Sequence, residues 1–406
     1  MVDDLGVRPS ESSDIGPSRA HWYGHLMIDR FIWAASGAGL SERAWADAED
    51  TGAAWVGNDA AAHVSLLRST VREELAFGME QQGVAAGVMS ADIDAALETW
   101  GLRHIADREP SQLSTGQTRR LAIAAALLRD PGALVLDCPT DGLDTAAVET
   151  LRGALADFDG QVTVYDRVRT VLADDAAQET HLDGVERPAP DPVPDPVQVA
   201  APGAPVLVAE GASVRRGSFT LGPVDLRVDG GQVTHIAGPN GSGKTTLMLA
   251  VLGLLPHEGT LEAPASGWAP TGMDAAFSRR TVLAELSVGT DAAHAEVALR
   301  WVGLERWRDV HPLDVPSCPR RMLAVAAALV RGPGLLILDE PTVGLDAEGY
   351  TWLTRVMRGY AAGGYHAELA AAGVEPVWSG GLPAVLWSCH NAAFAEAVSD
   401  RFLAMP

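Results

Sequence analysis

Cysteine is scarce here: Cys138, Cys318 and Cys389 are the only three in 406 residues. They lie far apart, with no CxxC or Cys/His ligand spacing, which excludes a disulfide framework and a thiolate zinc site and fits a reducing compartment. Positive charge is short as well. Thirty Lys and Arg face fifty-three Asp and Glu, a formal charge of −23, so a nucleic-acid backbone would meet a repulsive average field and no nucleic-acid partner is expected. Long apolar runs are missing. The longest, Leu247–Leu255 and Met322–Val330, are nine residues each, about half of the ~18 that suggest a membrane span. The opening Met-Val-Asp-Asp is not the basic start of an export leader. The expectation is a cytoplasmic protein that reaches the inner face of a membrane only through a partner.

What is present is globular: 47% of residues are apolar and 20% charged, in a chain long enough for two or three domains. Near mid-chain, residues 187–205 carry proline at close intervals, which blocks helix and ladder hydrogen bonds and favours extended polyproline II. This linker divides residues 1–186 from 206–406. The two sides repeat each other. Leu134-Val135-Leu136-Asp137-Cys138-Pro139-Thr140 matches Leu336-Ile337-Leu338-Asp339-Glu340-Pro341-Thr342, 202 residues from Asp137 to Asp339, and the offset holds upstream from Leu121 against Leu323. Each block reads as a buried Ala-rich helix, a turn and an apolar strand ending in a carboxylate. That pattern belongs to an α/β fold with mostly parallel sheets covered by helices on both faces.

Gly238-Pro239-Asn240-Gly241-Ser242-Gly243-Lys244-Thr245 satisfies G-x-x-x-x-G-K-[ST] between a strand-like stretch, Gln232–Ala237, and a helix beginning near Thr246. Glycines let backbone amides converge on phosphate oxygens, the helix N-terminus adds a favourable field, Lys244 reaches the β/γ-phosphates, and Thr245 ligates Mg²⁺. Asp339 supplies the Mg²⁺-side carboxylate, and Glu340 is placed to polarise an attacking water. The residues describe a nucleoside-triphosphatase site.

With Leu113-Ser114-Thr115-Gly116-Gln117 standing twenty residues before Asp137 and a helix following, the chain resembles the ATP-binding-cassette ATPases over almost all of its length. The resemblance implies two P-loop ATPase domains in tandem, with ATP and Mg²⁺ as cofactors. It also implies that Ser114, Gly116 and Gln117 of the first domain close over ATP held by the second, where His390 would act as the γ-phosphate switch. Ser69–Gly78 is similar to a segment of energy-coupling-factor transporter ATPases, which implies a separate transmembrane partner. Asn58 and Thr271 fall at or near the positions where the family carries Q-loop glutamines.

The halves diverge in opposite senses. The second has Lys244, Asp339, Glu340 and His390, but its signature position reads Val315-Pro316-Ser317-Cys318-Pro319, where two prolines and no glycine remove the free amides. The first keeps its signature, yet Cys138 replaces the glutamate, Tyr165 falls near the switch position, and no Gly-Lys-Ser/Thr precedes the signature. Ile15 to Met27 is either a worn phosphate loop or unrelated sequence, and the β-rich portion before such a loop is missing. Counting intact halves leaves one complete site per chain, catalytic through Glu340, His390 and Lys244.

Phe219 is either an adenine-stacking aromatic or an ordinary strand residue, and residues 361–383 are a surface loop or a partner-contacting insertion, the loop being favoured. His235, Cys318 and Cys389 read as structural. The nineteen-residue linker could span ~60 Å, enough for the copies to pair within one chain, although reciprocal pairing of two chains also satisfies the pattern. The expected function is ATP hydrolysis powering membrane transport. The competing class is a soluble ATP-gated clamp or regulator.

Overall fold

The computed structural model describes residues 27–34, 39–65, 67–182, 202–217, 219–272 and 277–405. All but the last residue of Ile15–Met27, and linker positions 187–201, lie outside them.

The first half runs β1 (Ile28–Trp33), α1 (Leu40–Thr51), β2 (Ala54–Val56), α2 (Val71–Gln81), α3 (Ala86–Thr99), α4 (Thr115–Leu127), β3 (Ala133–Asp137), α5 (Thr145–Ala156), β4 (Gln161–Asp166) and β5 (Ala176–His181). The second runs β6 (Pro205–Arg216), β7 (Phe219–Asp229), β8 (Val233–Ala237), α6 (Lys244–Val251), β9 (His257–Glu262), β10 (Ser266–Ala269), α7 (Val282–Leu286), α8 (Ala292–Val302), α9 (Ser317–Leu329), β11 (Leu335–Asp339), α10 (Ala347–Ala361), α11 (Gly364–Ala371), β12 (Ala384–Ser388), α12 (Ala392–Val398) and β13 (Arg401–Ala404).

The five-stranded sheets have the same order, β2-β3-β4-β1-β5 and β10-β11-β12-β8-β13, and their strands pair in parallel. The repeat therefore extends from sequence into topology. β11, Leu-Leu-Ile-Leu-Asp, is buried along its whole length, as a central parallel strand covered on both faces should be. Ile337 and Leu335 face a cluster with α6 and the antiparallel sheet β7-β6-β9, whereas Leu336 and Leu338 face α8, α9 and α10. Among the described residues the first half has no such antiparallel sheet; α1 alone covers the matching face through Leu40, Ala44 and Ala48.

The 361–383 stretch is not the favoured surface loop. It contains α11, whose Tyr365 and Leu369 are fully buried, and Tyr365 donates its hydroxyl hydrogen to the Val330 carbonyl at 2.6 Å. Val377 N–H bonds back to Arg331 O at 2.8 Å. Tyrosine and leucine at i and i+4 give the segment an apolar face, and burying that face fixes it to the end of α9.

Candidate functional site

Where β8 ends, the chain turns through Gly238–Gly243 into α6. Gly241 (φ 84°) and Gly243 (φ 99°) take left-handed backbone, which a side chain would strain. Lys244 is 7% exposed and donates from Nζ to the carbonyls of Gly238 at 2.7 Å and Pro239 at 3.2 Å. It is also the chain's single lysine, a count that alone would have singled it out.

Thr245 Oγ1 donates to Asp339 Oδ2 at 2.7 Å, and Ser388 Oγ donates to Asp339 Oδ1 at 2.7 Å. A hydroxyl beside a carboxylate offers hard oxygen donors of the kind Mg²⁺ prefers, so the residues present fit that ion. Glu340 has φ 51° and is 8% exposed. Burial first, then the Asp339 charge, pushes its carboxyl up to about 8 against the pull of Lys244 and Arg321. His390 Nε2 lies 3.2 Å from Glu340 Oε1, and burial together with Lys244 pushes the imidazole down to about 4. Neutral His390 therefore adds no positive charge that would hold Glu340 ionised, and once ionised a carboxylate with a raised pKa is the stronger proton acceptor. Thr271 is tied in from both sides: its hydroxyl donates to Asp339 O at 3.2 Å, and its carbonyl accepts from Arg321 Nη1 at 2.8 Å.

The first half supplies the opposite wall. Ser114 caps α4 in a reciprocal box, accepting from Gln117 N–H while Gln117 Oε1 accepts from Ser114 N–H. The signature thus forms the helix's first turn rather than preceding it, with α4 starting at Thr115. A Cβ on Gly116 would sit 2.7 Å from Gly142 O of the same half and 3.2 Å from Asn240 Nδ2 of the other, so glycine keeps the start of α4 against its own following loop while Asn240 approaches from across the halves. Asp144 Oδ2 accepts from Asn240 N–H at 3.0 Å; burial raises its pKa, but the Asn240 and Ala147 amides outweigh it and the net shift is downward.

Between the halves lies a cavity of about 620 Å³ lined by Ser114, Gly116 and Gln117 on one side and by Asn240, Gly241, Gly243, Lys244, Thr245, Thr246, Asp339, Glu340 and His390 on the other. Gly238 and Ser242 are not on its wall. Gly238 serves through its carbonyl, and a Cβ there would meet Ser242 Oγ at 2.6 Å. Sequence reasoning passed over Arg108 and Arg216, whose side chains line the same cavity from opposite halves. Arg108 stands six residues before Ser114, the available cue. The Phe219 ring packs against Gly243 at the cavity edge.

The equivalent end of the first sheet corrects the reading of its phosphate loop. β1 occupies the place of β8, so the counterpart of the loop is the β1–α1 connection, not Ile15–Met27. Gly39 caps α1 in left-handed conformation as Gly243 caps α6; Leu40 then stands for Lys244 and Ser41 for Thr245. Leu40 is 1% exposed among Ile32, Ala44, Val135 and Tyr165. Strand register also moves the switch position. Asp137 pairs with Tyr165 as Asp339 pairs with Ser388, which makes Arg167, not Tyr165, the counterpart of His390. Arg167 Nη1 binds Asp141 Oδ2 at 2.9 Å. At the second signature position Pro316 caps α9 without a side-chain bond, and Pro319 removes a first-turn N–H. Asn58 follows β2, its amide donating to Ser41 Oγ at 3.1 Å and its backbone carbonyl accepting from Arg119 at 2.6 Å.

Residues 39–141 and 221–343 match the family model described as ABC transporter. A Streptomyces avermitilis protein named an ABC transporter ATP-binding protein is 30% identical, over 79% of this chain and 74% of its own length. A Bacillus subtilis protein named an HMP/thiamine import ATP-binding protein is 25% identical over 68% of this chain and 64% of its own. Among solved structures, RNase-L Inhibitor aligns with a TM-score of 0.62 at 20% identity, covering 93% of this chain and 83% of that one, a likeness of fold. With two matched segments, a tandem P-loop fold and a glycine-rich loop opposed by a signature helix, the chain belongs to the ABC transporter family and is one of its ATP-binding ATPases.

Proposed function

We propose that the chain hydrolyses ATP at one composite site and uses the cycle to drive a separate membrane transporter subunit of the energy-coupling-factor type. The observation that carries the reading is the close approach of Gly116 and Asp144 to Asn240, which sets the first half's signature over the second half's phosphate loop within one chain. The opposite site has Leu40 for lysine, Cys138 for glutamate and prolines in its signature.

In this reading Lys244, the loop amides and the α6 N-terminus take the phosphate charge, while Ser114 and the α4 N-terminus approach the γ-phosphate from across the cavity. Thr245 and Asp339 would hold Mg²⁺, which would supply positive charge to offset that of the phosphates. Glu340 accepts the proton of the attacking water, and neutral His390 beside it orients the transferred group. Thr271 leaves the usual glutamine contact to a shorter hydroxyl. Thr271→Gln is expected to retain turnover, and its loss would mean that the site has adapted around threonine.

Transport is supported by the names of the relatives; among the described residues no helix is long and apolar enough to cross a membrane. Affinity purification from native membranes tests it: recovery of a multispanning subunit is expected, whereas recovery of ribosomes or DNA would favour the clamp reading. Equilibrium binding with Glu340→Gln is expected to saturate at one ATP per chain, and saturation at two would overturn the single-site proposal.

A further inference from the structure

The first half carries a second cavity, of about 310 Å³, where its sheet ends beside α1. Its walls are unlike those of the nucleotide cavity. Lys244, Arg108 and Arg216 line the larger one beside Asp339 and Glu340; the smaller keeps carboxylates, Glu42, Asp59 and Asp137, and is lined by neither lysine nor arginine. The Leu40 replacement thus belongs to a wider change of sign. A phosphate entering here would meet carboxylates.

Asp137 is the deepest of these groups, 1% exposed. Its Oδ1 accepts from Cys138 Sγ at 3.2 Å, while Oδ2 is buried with no hydrogen-bond partner among the described residues. The nearby Arg167 guanidinium is committed to Asp141. A buried carboxylate oxygen left without a donor is costly, and a ligand that supplies positive charge removes that cost.

Aromatic groups form the rest of the wall. Trp45 and Trp55 meet edge to face with ring centroids 4.8 Å apart at 75°, and His63 meets Trp55 at 4.8 Å and 74°. Trp45 is 49% exposed, an indole left open at the rim. Gly57 makes the arrangement possible, since a Cβ there would lie 2.6 Å from the Trp55 ring. His63 Nε2 accepts from Gly57 N–H at 2.8 Å, and burial, aided by Arg119 against the pull of Asp59, lowers its pKa, so this wall carries no competing cation. Indole faces attract ammonium groups through their quadrupole, and they do so most strongly where water is excluded.

We propose that this cavity, the remnant of the first half's lost nucleotide site, binds a small organic cation, its ammonium head set against the open Trp45 ring and drawn toward the Asp137 carboxylate. The ligand class is a methylated or primary amine of low molecular weight. The lost lysine would then mark conversion of an anion site into a cation site, a role separate from ATP hydrolysis.

Calorimetric titration of the full chain with choline, and with its uncharged isostere in which carbon replaces the ammonium nitrogen, tests this. Choline is expected to bind about ten-fold or more tightly than the isostere, with saturating ATP leaving the affinity unchanged. Trp45→Ala, at an exposed position that should not disturb folding, is expected to weaken choline roughly ten-fold, and Asp137→Asn, which keeps shape and removes charge, by a similar factor. Equal binding of the isostere would overturn the proposal, as would unchanged affinity in folded Trp45→Ala, or no heat from choline and ethanolamine up to millimolar concentrations.

Discussion

β3 and β11 end in the same way and lead to opposite chemistry. Cys138 and Glu340 both follow the strand's aspartate with φ 51°, a left-handed conformation that costs a non-glycine residue about 1–2 kcal/mol. At Glu340 that conformation carries a carboxyl beside His390, with Lys244 in the same cavity. At Cys138 it carries a fully buried thiol whose pKa is raised, mainly by burial. The backbone has outlived the chemistry it served. What has gone is the phosphate-facing lysine, with Leu40 in the place of Lys244, and the antiparallel sheet, which is absent from the first half among the described residues. What has arrived is Arg167, buried at 6% exposure and paired with Asp141. Burial works against its charge and is outweighed by the negative charge around it, of which the paired Asp141 is the carboxylate in contact, so the guanidinium is held firmly cationic.

The largest effect should come from removing either surviving half of the intact site. Lys244→Ala and Gly116→Asp are each expected to lower ATP turnover by more than about a hundred-fold, because one removes a charge aimed at the phosphates and the other drives a side chain into Gly142 O and Asn240. Mixing the two inactive chains distinguishes pairing within a chain from pairing between chains. No recovery is expected; substantial recovered turnover would mean that the site forms between molecules. Since Lys244 is the only lysine, protection by ATP from an amine-acylating reagent, read by peptide mass spectrometry, reports occupancy independently of turnover.

Next in size are attempts to undo the divergence. Cys138→Glu is expected to leave the bound ATP at one per chain, because no lysine and no opposing signature come with it. Leu40→Lys should fail for a second reason. Its side chain would enter the cluster of Ile32, Ala44, Val135 and Tyr165, and an amine buried there without a partner costs several kcal/mol. A fall in Tm of roughly 5–15 °C is expected. An unchanged Tm together with a second bound ATP would show that the first half is still a nucleotide site.

The second half's site was legible because its motif is contiguous: Gly238 to Thr245 and Asp339-Glu340 each encode their geometry over a few adjacent residues. The repeat was legible for the same reason, through an unbroken offset from Leu121 to Asp144. Past that point the offset fails. α5 ends at Ala156 after twelve residues, α10 runs for fifteen, and α11 is added before β12, so spacing could not reach Arg167 as the counterpart of His390. Strand register could. The first half's loop has no lysine to mark it: Leu40 stands where Lys244 does, and what repeats is the left-handed glycine before the helix, Gly39 for Gly243. The fold of 361–383 was obscured by its glycines and alanines, since the aromatic anchor Tyr365 gains meaning only from the Val330 carbonyl beside it.

The smallest effect is also the sharpest test of what replaced the nucleotide. Asp166 lies beside Arg167, accepting its backbone N–H at 2.8 Å, and burial, followed by the charge of Asp141, pushes its carboxyl up to about 8 despite Arg167. An acid with a raised folded pKa binds its proton more tightly in the fold than in the unfolded chain, whose carboxyl titrates near ~3.9. Its contribution is therefore fully favourable below that value and is lost as pH rises toward about 8. Asp166→Asn keeps the acceptor for the Arg167 amide and has no proton to lose. The variant should match the wild type in Tm near pH 4 and exceed it by a growing margin up to pH 8. A constant difference across that range would mean that Asp166 is ionised throughout, and that Arg167 is held by two carboxylates rather than by Asp141 alone.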